Sequence, residues 1–511
     1  MALFSKDKKK LTAKERAAAD EQARLDAVER YKKLRKMSLR ERIITEIHDT
    51  KLTRWIRFAF VALIWTLFCV WLGNMWMLLV LPLLFDIYIT GLIPFSAWRL
   101  IPNKTLRTVM SWVDSIVYAL IIVYFIFAYL GQNYQIPSSS LEKTLLVGDY
   151  LWVDKTVYGP RTPQTPLHFP LAQNTIPWLN CKSYCDFWQV DYHRLPGRRN
   201  VERFDIVVFN APHCDTVATK VQGQADYYTL VYALEHPEDP TKGVADGRKY
   251  IAEHPEEFGE VVWRPVDRRD AYVKRAIGLP GETLNIVDDI VYINGKPLPE
   301  PKYVQHNYIV QVSAEFSDAD WDELGISRAD RQGPHNNISL LENSYYELPL
   351  TSEMLAKIKT MPQVVGAPIR RSEISEFIGV YPLDGNYGWS LPNMGEIWIP
   401  RQGSTLKVTH DNLPIYRRVI ETYEGNKVDV KADGIYINGQ KTDYYTFKLD
   451  YYWMMGDNRD NSADSRFWGF VPEDHIIGSP ATVLISFDKD AGSFFKSVRG
   501  DRILRKPNPD K

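Results

Sequence analysis

The segment DAYVKRAIGLPGE, residues 270–282, has the composition of a β-strand that runs into a turn. Its first half is rich in β-branched and aromatic residues, and Pro280-Gly281 ends the run. Lys274 stands inside the run. Alternation along a strand puts half of its side chains in solvent, so an exposed lysine is the plain interpretation. A lysine buried among apolar neighbours would instead lose its charge and could act as a base.

Similar segments lie on both sides of this one. Tyr150–Val153 and Asp205–Phe209 are short strand-like runs. Ile290–Leu298 and Gly434–Thr442 each carry Asn-Gly between strand-like flanks, and Asn-Gly supplies the positive φ of a type I′ hairpin turn. Between these hairpins the sequence has little periodicity, apart from a predicted helix over Asn412–Tyr423. We therefore predict a mainly β, antiparallel domain that carries a large insertion.

The chain before Gly131 has a different composition. Three apolar segments, Phe58–Leu72, Met75–Phe95 and Trp112–Leu130, approach the ~20 residues that cross a bilayer. The basic stretch Arg99–Arg107 separates the second from the third, which predicts that it is cytoplasmic. Three crossings then place everything after Leu130 outside the cytoplasm. The alternative is one tilted span over Phe58–Leu84, followed by a re-entrant segment.

The net charge of the chain hides a segregation of charge. Over the 511 residues, 62 Lys and Arg stand against 63 Asp and Glu, whereas residues 1–54 hold 16 basic and 9 acidic residues. This arm lacks Pro and Gly, so we predict a helix. Its lack of an early apolar run excludes a cleavable signal peptide. A nucleic-acid-binding arm is one interpretation, and a cytoplasmic arm next to the membrane is the one that the following apolar segments favour.

The composition thus predicts five regions. They are a basic cytoplasmic helical arm (1–54), a membrane region with about three transmembrane helices (55–133), a first part of a β domain (134–301), an insertion (302–425), and the final part of the β domain with a C-terminal tail (426–511).

The four cysteines do not make a disulfide scaffold. Cys69 lies in an apolar segment. Cys181 and Cys185 have a spacing that suits either a local disulfide or half of a zinc site, but no second Cys/His pair follows. A calcium loop starting at Asp460 is disfavoured as well, because Ser465 stands where glycine is needed. We therefore predict no metal and no cofactor.

Serine chemistry is the remaining catalytic interpretation. Three serines, Ser138–Ser140, follow a proline just beyond the last apolar segment, although such a run can be ordinary loop content. The sequence has neither a G-x-S-x-G elbow nor an H-E-x-x-H helix, and no histidine accompanies the serines. Lys274 is then the candidate that could accept the proton of a serine hydroxyl.

Four segments in this order resemble the motifs of the bacterial type I signal peptidases. They are QIPSSSLEKTLLVGD (135–149), DIVVF (205–209), YVKRAIGLPGE (272–282) and GDNRDNSADSRFWGFVPE (456–473). The resemblance implies an antiparallel signal-peptidase-type catalytic domain with insertions, preceded by transmembrane helices. It also implies a serine endopeptidase that cuts signal peptides from exported preproteins after small residues at −1 and −3.

The same resemblance implies roles for single residues. Ser140 is the nucleophile and Lys274 the general base, while the Ser138 hydroxyl and the Ser140 backbone N–H form the oxyanion hole. The supporting residues, of which the first hydrogen-bonds the lysine, are Ser462, Asp464 and Arg466. The residues implied to line the substrate pockets are Tyr134, Ile136, Pro137 and Val273.

The implied setting is the inner, cytoplasmic membrane, crossed several times, with a cytoplasmic N-terminus and an extracytoplasmic catalytic domain. The implied partners are preproteins with signal peptides and the lipid bilayer, with the secretion translocon as a further candidate and no nucleic acid. A catalytically inactive, membrane-anchored protein that binds preproteins is the alternative from another class. A pore or transporter has little support from three spans.

Three positions depart from the family pattern. Leu141 replaces the usual methionine after the nucleophile, a change that conserves volume. Lys143 replaces a proline, which removes a rigid turn and adds a charge. Phe204 replaces the glycine of an Arg-Gly-Asp motif, so we expect an ordinary negative φ there.

Overall fold

The structure is a computed structural model of the chain. It describes residues 13–169, 171–176, 178–179, 181–222, 226–237, 242–326, 331, 339–341, 345–370, 380–383, 385, 387–488 and 497–507. The predictions for the first twelve residues of the basic arm and for the last four of the C-terminal tail lie outside this part. The chain divides into two compact units, one up to Phe125 and one from Ile126.

The first unit is helical. Its α-helices are α1 (Ala13–Arg35), α2 (Leu39–Asp49), α3 (Leu52–Leu72), α4 (Leu81–Phe85) and α5 (Lys104–Phe125). Ser38 begins α2 in a capping box with Glu41, which satisfies backbone N–H groups at the helix start. The predicted helical arm therefore consists of two helices in its described part. Gly73 ends α3 with a left-handed φ of +70°.

Two helices in the described part are long and apolar enough to cross a membrane, Leu52–Leu72 and Lys104–Leu130, with mean hydropathies of 2.0 and 2.2. A third apolar segment, Met75–Thr90, is shorter. It consists of a 3-10 turn, α4 and a π-helical turn, and it packs against α3. The number of crossings stays a prediction.

The second unit is built from β-strands. They are β1 (Gly131–Gln135), β2 (Asp149–Asp154), β3 (Thr175–Ile176), β4 (Cys181–Lys182), β5 (Ile206–Asn210), β6 (Thr216–Ala218), β7 (Val261–Trp263), β8 (Ala271–Gly278), β9 (Thr283–Val287), β10 (Ile290–Ile293), β11 (Lys296–Pro297), β12 (His306–Gln311), β13 (Ser339–Leu341), β14 (Tyr345–Leu350), β15 (Ile369–Arg370), β16 (Met394–Trp398), β17 (Thr405–Lys407), β18 (Val428–Lys431), β19 (Gly434–Ile437), β20 (Gln440–Lys441), β21 (Tyr444–Thr446), β22 (Tyr451–Met455), β23 (Val471–Pro472) and β24 (Ile476–Ser486).

Short α-helices connect these strands. They are α6 (Tyr227–Glu235), α7 (Gly247–Glu253), α8 (Pro255–Phe258), α9 (Asp318–Leu324), α10 (Ser352–Ile358), α11 (Leu413–Arg418) and α12 (Ser465–Trp468). A π-helical turn, Val419–Tyr423, continues α11. The predicted helix over Asn412–Tyr423 is therefore confirmed.

A seven-stranded sheet holds the segments singled out in the sequence. Its order is β1-β2-β24-β5-β8-β22-β23, and its paired neighbours are antiparallel. The mainly β, antiparallel fold class is confirmed. Strand β8, which carries Lys274, lies between β5 and β22. Each face of β8 packs into a different apolar cluster, Val273 into one and Ala276 into the other.

Both Asn-Gly hairpins form as predicted. Asn294 and Gly295 have φ of +50° and +74° between β10 and β11, and Asn438 and Gly439 have φ of +52° and +79° between β19 and β20. Positive φ at both central residues defines the type I′ turn.

The predicted insertion contains two kinds of structure. Strands β12 to β15 form a four-stranded sheet over an apolar cluster of their own, which includes Val310, Trp321 and Leu348. Residues from Met394 to Ile420 instead share a larger cluster with β9, β10 and β22. The domain boundaries stay a prediction.

The expectation for Phe204 is wrong, because its φ is +66°. Its backbone is held on both sides: the Phe204 N–H donates to Ala276 O at 2.8 Å, and Arg275 donates to Phe204 O at 2.9 Å. The Phe204 side chain also packs against the largest apolar cluster. These contacts offset a left-handed conformation that costs a non-glycine residue roughly 1–2 kcal/mol.

The four cysteines carry free thiols in the structure. Cys181 is exposed on β4 and Cys185 is partly exposed, whereas Cys69 and Cys214 are buried. The local disulfide considered for Cys181 and Cys185 is thus not formed here.

Candidate active site

Ser140 is fixed by the turn that follows β1. Ile136 exchanges backbone hydrogen bonds with the start of β2, through Asp149 O at 2.9 Å and Gly148 N at 3.0 Å. After Ser140 the chain makes a tight turn in which the Leu145 N–H donates to Leu141 O at 2.8 Å. Leu141 and Leu145 are fully buried in the cluster that also holds Ile136. The apolar residues on both sides of the serines therefore set the position of the Ser140 hydroxyl.

Lys274 meets this hydroxyl from β8. Its Nζ lies 2.7 Å from Ser140 Oγ, and the two residues are only 4% and 6% exposed. They are 134 positions apart in sequence. The plain interpretation of Lys274, a lysine facing solvent, is therefore wrong, because its side chain is buried.

Burial lowers the pKa of Lys274 to about 8. Removing the ammonium from water is the largest cause, and Arg466 acts in the same direction, whereas Asp464 and Asp457 act against it. Both aspartates are paired with arginines, Asp464 with Arg466 and Asp457 with Arg275. Their opposing effect does not cancel the effect of burial.

The loop after β22 closes on Ser140. The Asn458 N–H donates to Ser140 O at 3.1 Å, and Asn458 is fully buried. Asp464 accepts hydrogen bonds from Gly456 N at 3.0 Å and from the Arg466 guanidinium at 2.9 Å. The Asp464–Arg466 pair implied by the family resemblance thus forms, and it holds the loop against the strand.

Ser462 differs from what the resemblance implied. Its Oγ is buried and has no hydrogen-bond partner among the described residues, so it does not bond Lys274 in the structure. A Cβ built on Gly456 would lie 2.2 Å from Ser462 Oγ. The hydroxyl is therefore packed against the loop backbone, beside Ser140 but not hydrogen-bonded to the lysine.

The residues implied to line the substrate pockets fall into two groups. Ile136 is buried, and Tyr134 and Val273 are half-buried against the same apolar cluster. Pro137 is exposed, as is Ser138. Ser138 and Ser140 lie on one turn, and the pocket and oxyanion roles stay predictions.

Two buried ion pairs near the site were missed by sequence reasoning. Arg275 binds both carboxylate oxygens of Asp457, at 2.7 and 2.6 Å, and Asp457 also accepts a hydrogen bond from Thr144 at 2.7 Å. Arg502, in the predicted tail, binds both oxygens of Asp149, at 3.0 and 2.6 Å. The one signal in the sequence was an arginine next to Lys274 within an apolar strand.

Lys143 and Asp460 have structural partners. The Lys143 ammonium donates to Gly325 O at 2.8 Å, and the Lys143 backbone has φ of +68°. Asp460 accepts a hydrogen bond from Asn307 N at 2.6 Å. In the part of the chain that the structure describes, no three His, Cys, Asp or Glu side chains are grouped to hold a metal ion.

A buried serine and lysine in hydrogen-bond contact on an antiparallel sheet, in a chain that also has two long apolar helices, are typical of the membrane-anchored serine endopeptidases that use a lysine in place of a histidine. The sequence profile of the signal peptidases, peptidase S26, matches residues 109–323 and 443–485, just over half of the chain. The chain belongs to this family, which confirms the resemblance found in the sequence.

Curated relatives agree over most of the chain. A signal peptidase I of Helicobacter pylori is 23% identical over 428 residues, covering 79% of this chain and 99% of that protein. A signal peptidase I of Buchnera aphidicola is 25% identical over 394 residues, covering 75% of this chain and 77% of that protein. The signal peptidase I of Haemophilus influenzae is 22% identical over 396 residues, covering 77% and 74%.

Proposed function

We propose that this chain removes signal peptides with Ser140 as the nucleophile and Lys274 as the general base. The observation that carries the proposal is the 2.7 Å distance between Lys274 Nζ and Ser140 Oγ at a buried site. A serine hydroxyl is a weak nucleophile until a base accepts its proton. Lys274 is in hydrogen-bond contact with the Ser140 hydroxyl, so the lysine is the base that the geometry offers.

The proposed reaction uses Lys274 twice. The neutral amine accepts the Ser140 proton while Oγ attacks the carbonyl carbon of the scissile bond, and the resulting ammonium gives that proton to the leaving amine. Water then attacks the acyl-serine, with Lys274 accepting and returning a proton in the same way. Both steps pass through an oxyanion. We assign the stabilisation of this oxyanion to the Ser140 backbone N–H and the Ser138 hydroxyl, which would donate hydrogen bonds to it.

The substrates we propose are preproteins with small residues at −1 and −3. Tyr134, Ile136 and Val273 support this, because they share one apolar cluster next to the turn of Ser140. Shallow apolar pockets of this kind exclude large side chains sterically. Pro137 is exposed at the same turn and would face the substrate.

For the membrane arrangement we propose three crossings, with the N-terminus in the cytoplasm and the second unit outside. Met75–Thr90 supports the additional crossing although it is short, since it runs antiparallel to α3. Trp65 donates to Met77 O at 2.9 Å, the rings of Phe58 and Phe85 lie 5.4 Å apart, and Thr50 contacts Ile89 O at 3.3 Å. The segment thus returns to the level at which α3 begins. The 3-10 turn at the start of this segment rises about 2.0 Å per residue, so it increases the distance that the short segment spans.

The experiment that tests the catalytic proposal is cleavage of a preprotein by the purified, detergent-solubilised chain. We expect Ser140→Ala and Lys274→Ala each to lose at least about 10³-fold in kcat, as removal of a nucleophile or its base does. The exposed residues Ser313 and Lys302 provide matched controls, and Ser313→Ala and Lys302→Ala should keep full activity. Full activity in either of the first two variants would rule out the proposed pair.

A further inference from the structure

A large cavity lies beside the candidate active site. Its volume is about 830 Å³, which is within the range of about 300–1,000 Å³ that is typical of ligand sites. Helix α6 and helix α11 contribute one side of its lining. Ser462, Trp468 and His213 contribute another. None of the sequence motifs quoted above includes α6 or α11.

Three lining residues have buried polar atoms without a partner. Among the residues that the structure describes, His213 Nδ1, Ser462 Oγ and Trp468 Nε1 are buried and make no hydrogen bond. An unsatisfied buried polar atom is destabilising, so three around one cavity are unusual. The indole can only donate, whereas the hydroxyl can donate or accept. A ligand with alternating donors and acceptors, such as a polypeptide main chain, would satisfy this set.

The surroundings of the histidine of this set favour its uncharged form. Burial lowers the pKa of His213 to about 4, with Arg418 and Lys274 acting in the same direction and Asp226 and Asp215 against it. Its ring stacks on Trp468 at 4.4 Å. The pair therefore forms a flat wall that a peptide plane can pack against, while charged side chains of both signs, among them Arg418 and Asp226, line other parts of the cavity.

The cavity begins next to Ser140. A Cβ built on Gly456 would lie 2.2 Å from Ser462 Oγ and 2.6 Å from Ser140 O. Ser462, which lines the cavity, and the backbone of Ser140 therefore both contact Gly456. On β8, Tyr272 packs with Trp468 and His213, at 5.6 and 5.3 Å between ring centres.

The proposed substrate pockets lie on the other face of β8. Neighbouring residues of a strand point to opposite faces, and Val273 packs with Ile136 while Tyr272 packs with Trp468. A polypeptide that crosses Ser140 from the Val273 side would therefore continue toward the cavity.

We propose that this cavity binds the first residues of the mature chain, on the C-terminal side of the scissile bond. The inference rests on the proposed function. Ser462, His213 and Trp468 would contact the main chain close to the cut, and Tyr232 and Thr229 of α6 would contact residues further along. They would act as specificity-determining residues of the known reaction.

The test compares two peptide substrates with the same residues up to −1. The short one carries a single residue after the scissile bond, as an amide, and the long one carries eight. We expect the wild-type chain to cleave the long peptide with a kcat/KM about tenfold higher, because only the long peptide reaches α6. Tyr232→Ala should lower the long-to-short ratio at least about threefold, and Thr229→Trp, which fills the cavity, should lower it as well.

Helix α7 offers a matched control. Tyr232 of α6 stacks on His236 at 4.6 Å, and Tyr250 of α7 stacks on His254 at 4.0 Å, outside the lining of the cavity. Tyr250→Ala should leave the long-to-short ratio unchanged. A ratio near one in the wild-type chain, an unchanged ratio in both α6 variants, or an equal fall in Tyr250→Ala would overturn the inference. Cleavage of neither peptide by the wild-type chain would overturn the proposed function itself.

Discussion

Lys274 has to be uncharged to accept a proton from Ser140, and the residues around it favour that state. The nearby carboxylates, Asp464 and Asp457, are each bound by an arginine, so neither is free to pair with the ammonium. Residue types alone made Lys274 a candidate base, because no histidine accompanied the serines, whereas its pairing with Ser140 was implied by the family resemblance. The Arg275–Asp457 pair could not be predicted, because only the register of β8 and β22 brings together residues 182 positions apart.

Gly456 is needed for the close approach of the loop to Ser140. Any Cβ at this position would meet Ser140 O at 2.6 Å, and a backbone oxygen cannot move without moving the serine. We expect Gly456→Ala to lower kcat by about 10²-fold, the loss that a shift of about 1 Å can cause. The kcat for preprotein cleavage measures this loss. Gly500→Ala is the control, since a Cβ there would meet no atom within 4 Å. Equal activity in both variants would refute the steric account.

At the scale of elements, the strands and both Asn-Gly hairpins follow from local composition, whereas the backbone at Phe204 does not. Local sequence predicted a negative φ, but the pairing of Phe204 with Ala276 and Arg275 imposes a positive one. The same limit applies to Ser462. A motif places this serine in the loop but does not determine its hydrogen bond, which depends on how the loop packs against Gly456.

Phe204 allows a test of the strained backbone. Phe204→Gly and Phe204→Ala lose the same ring contacts, but glycine tolerates φ of +66°. We expect the free energy of unfolding of the glycine variant to be roughly 1 kcal/mol higher than that of the alanine variant. Denaturant unfolding of the solubilised chain measures this difference.

The control for this pair is Leu298, which packs against the same cluster and has no positive φ. There the order should reverse, with Leu298→Gly less stable than Leu298→Ala. The same order at both positions would show that the conformation at Phe204 carries no strain.

At the scale of the whole molecule, the segregation of charge indicates how the chain lies in the membrane. The described arm helices precede α3, and under the positive-inside rule the basic arm and Arg99–Arg107 support the proposed orientation, in which both are cytoplasmic. The two long apolar helices were predictable from composition. The structure of the insertion was not, because its core is assembled from short strands with no clear periodicity.

The proposed orientation can be tested with thiol labelling in spheroplasts. Cys181 is exposed in the second unit, so a membrane-impermeant maleimide should label it in a Cys185→Ser background. A cysteine placed in the arm by Ala27→Cys, on a Cys181→Ser/Cys185→Ser background, should react only after detergent is added. Labelling of the arm without detergent, or none at Cys181, would contradict three crossings with a cytoplasmic N-terminus.

The dependence of kcat/KM on pH tests the central claim, a neutral lysine acting on Ser140, most directly. The pKa of Lys274 is lowered to about 8, and only its deprotonated form can accept the serine proton. Activity of the wild-type chain should therefore fall as the pH drops through about 8, tenfold for each further pH unit. A profile that is flat from pH 6 to 9, or whose acidic limb lies at about 6.5 as for an ordinary histidine, would contradict it.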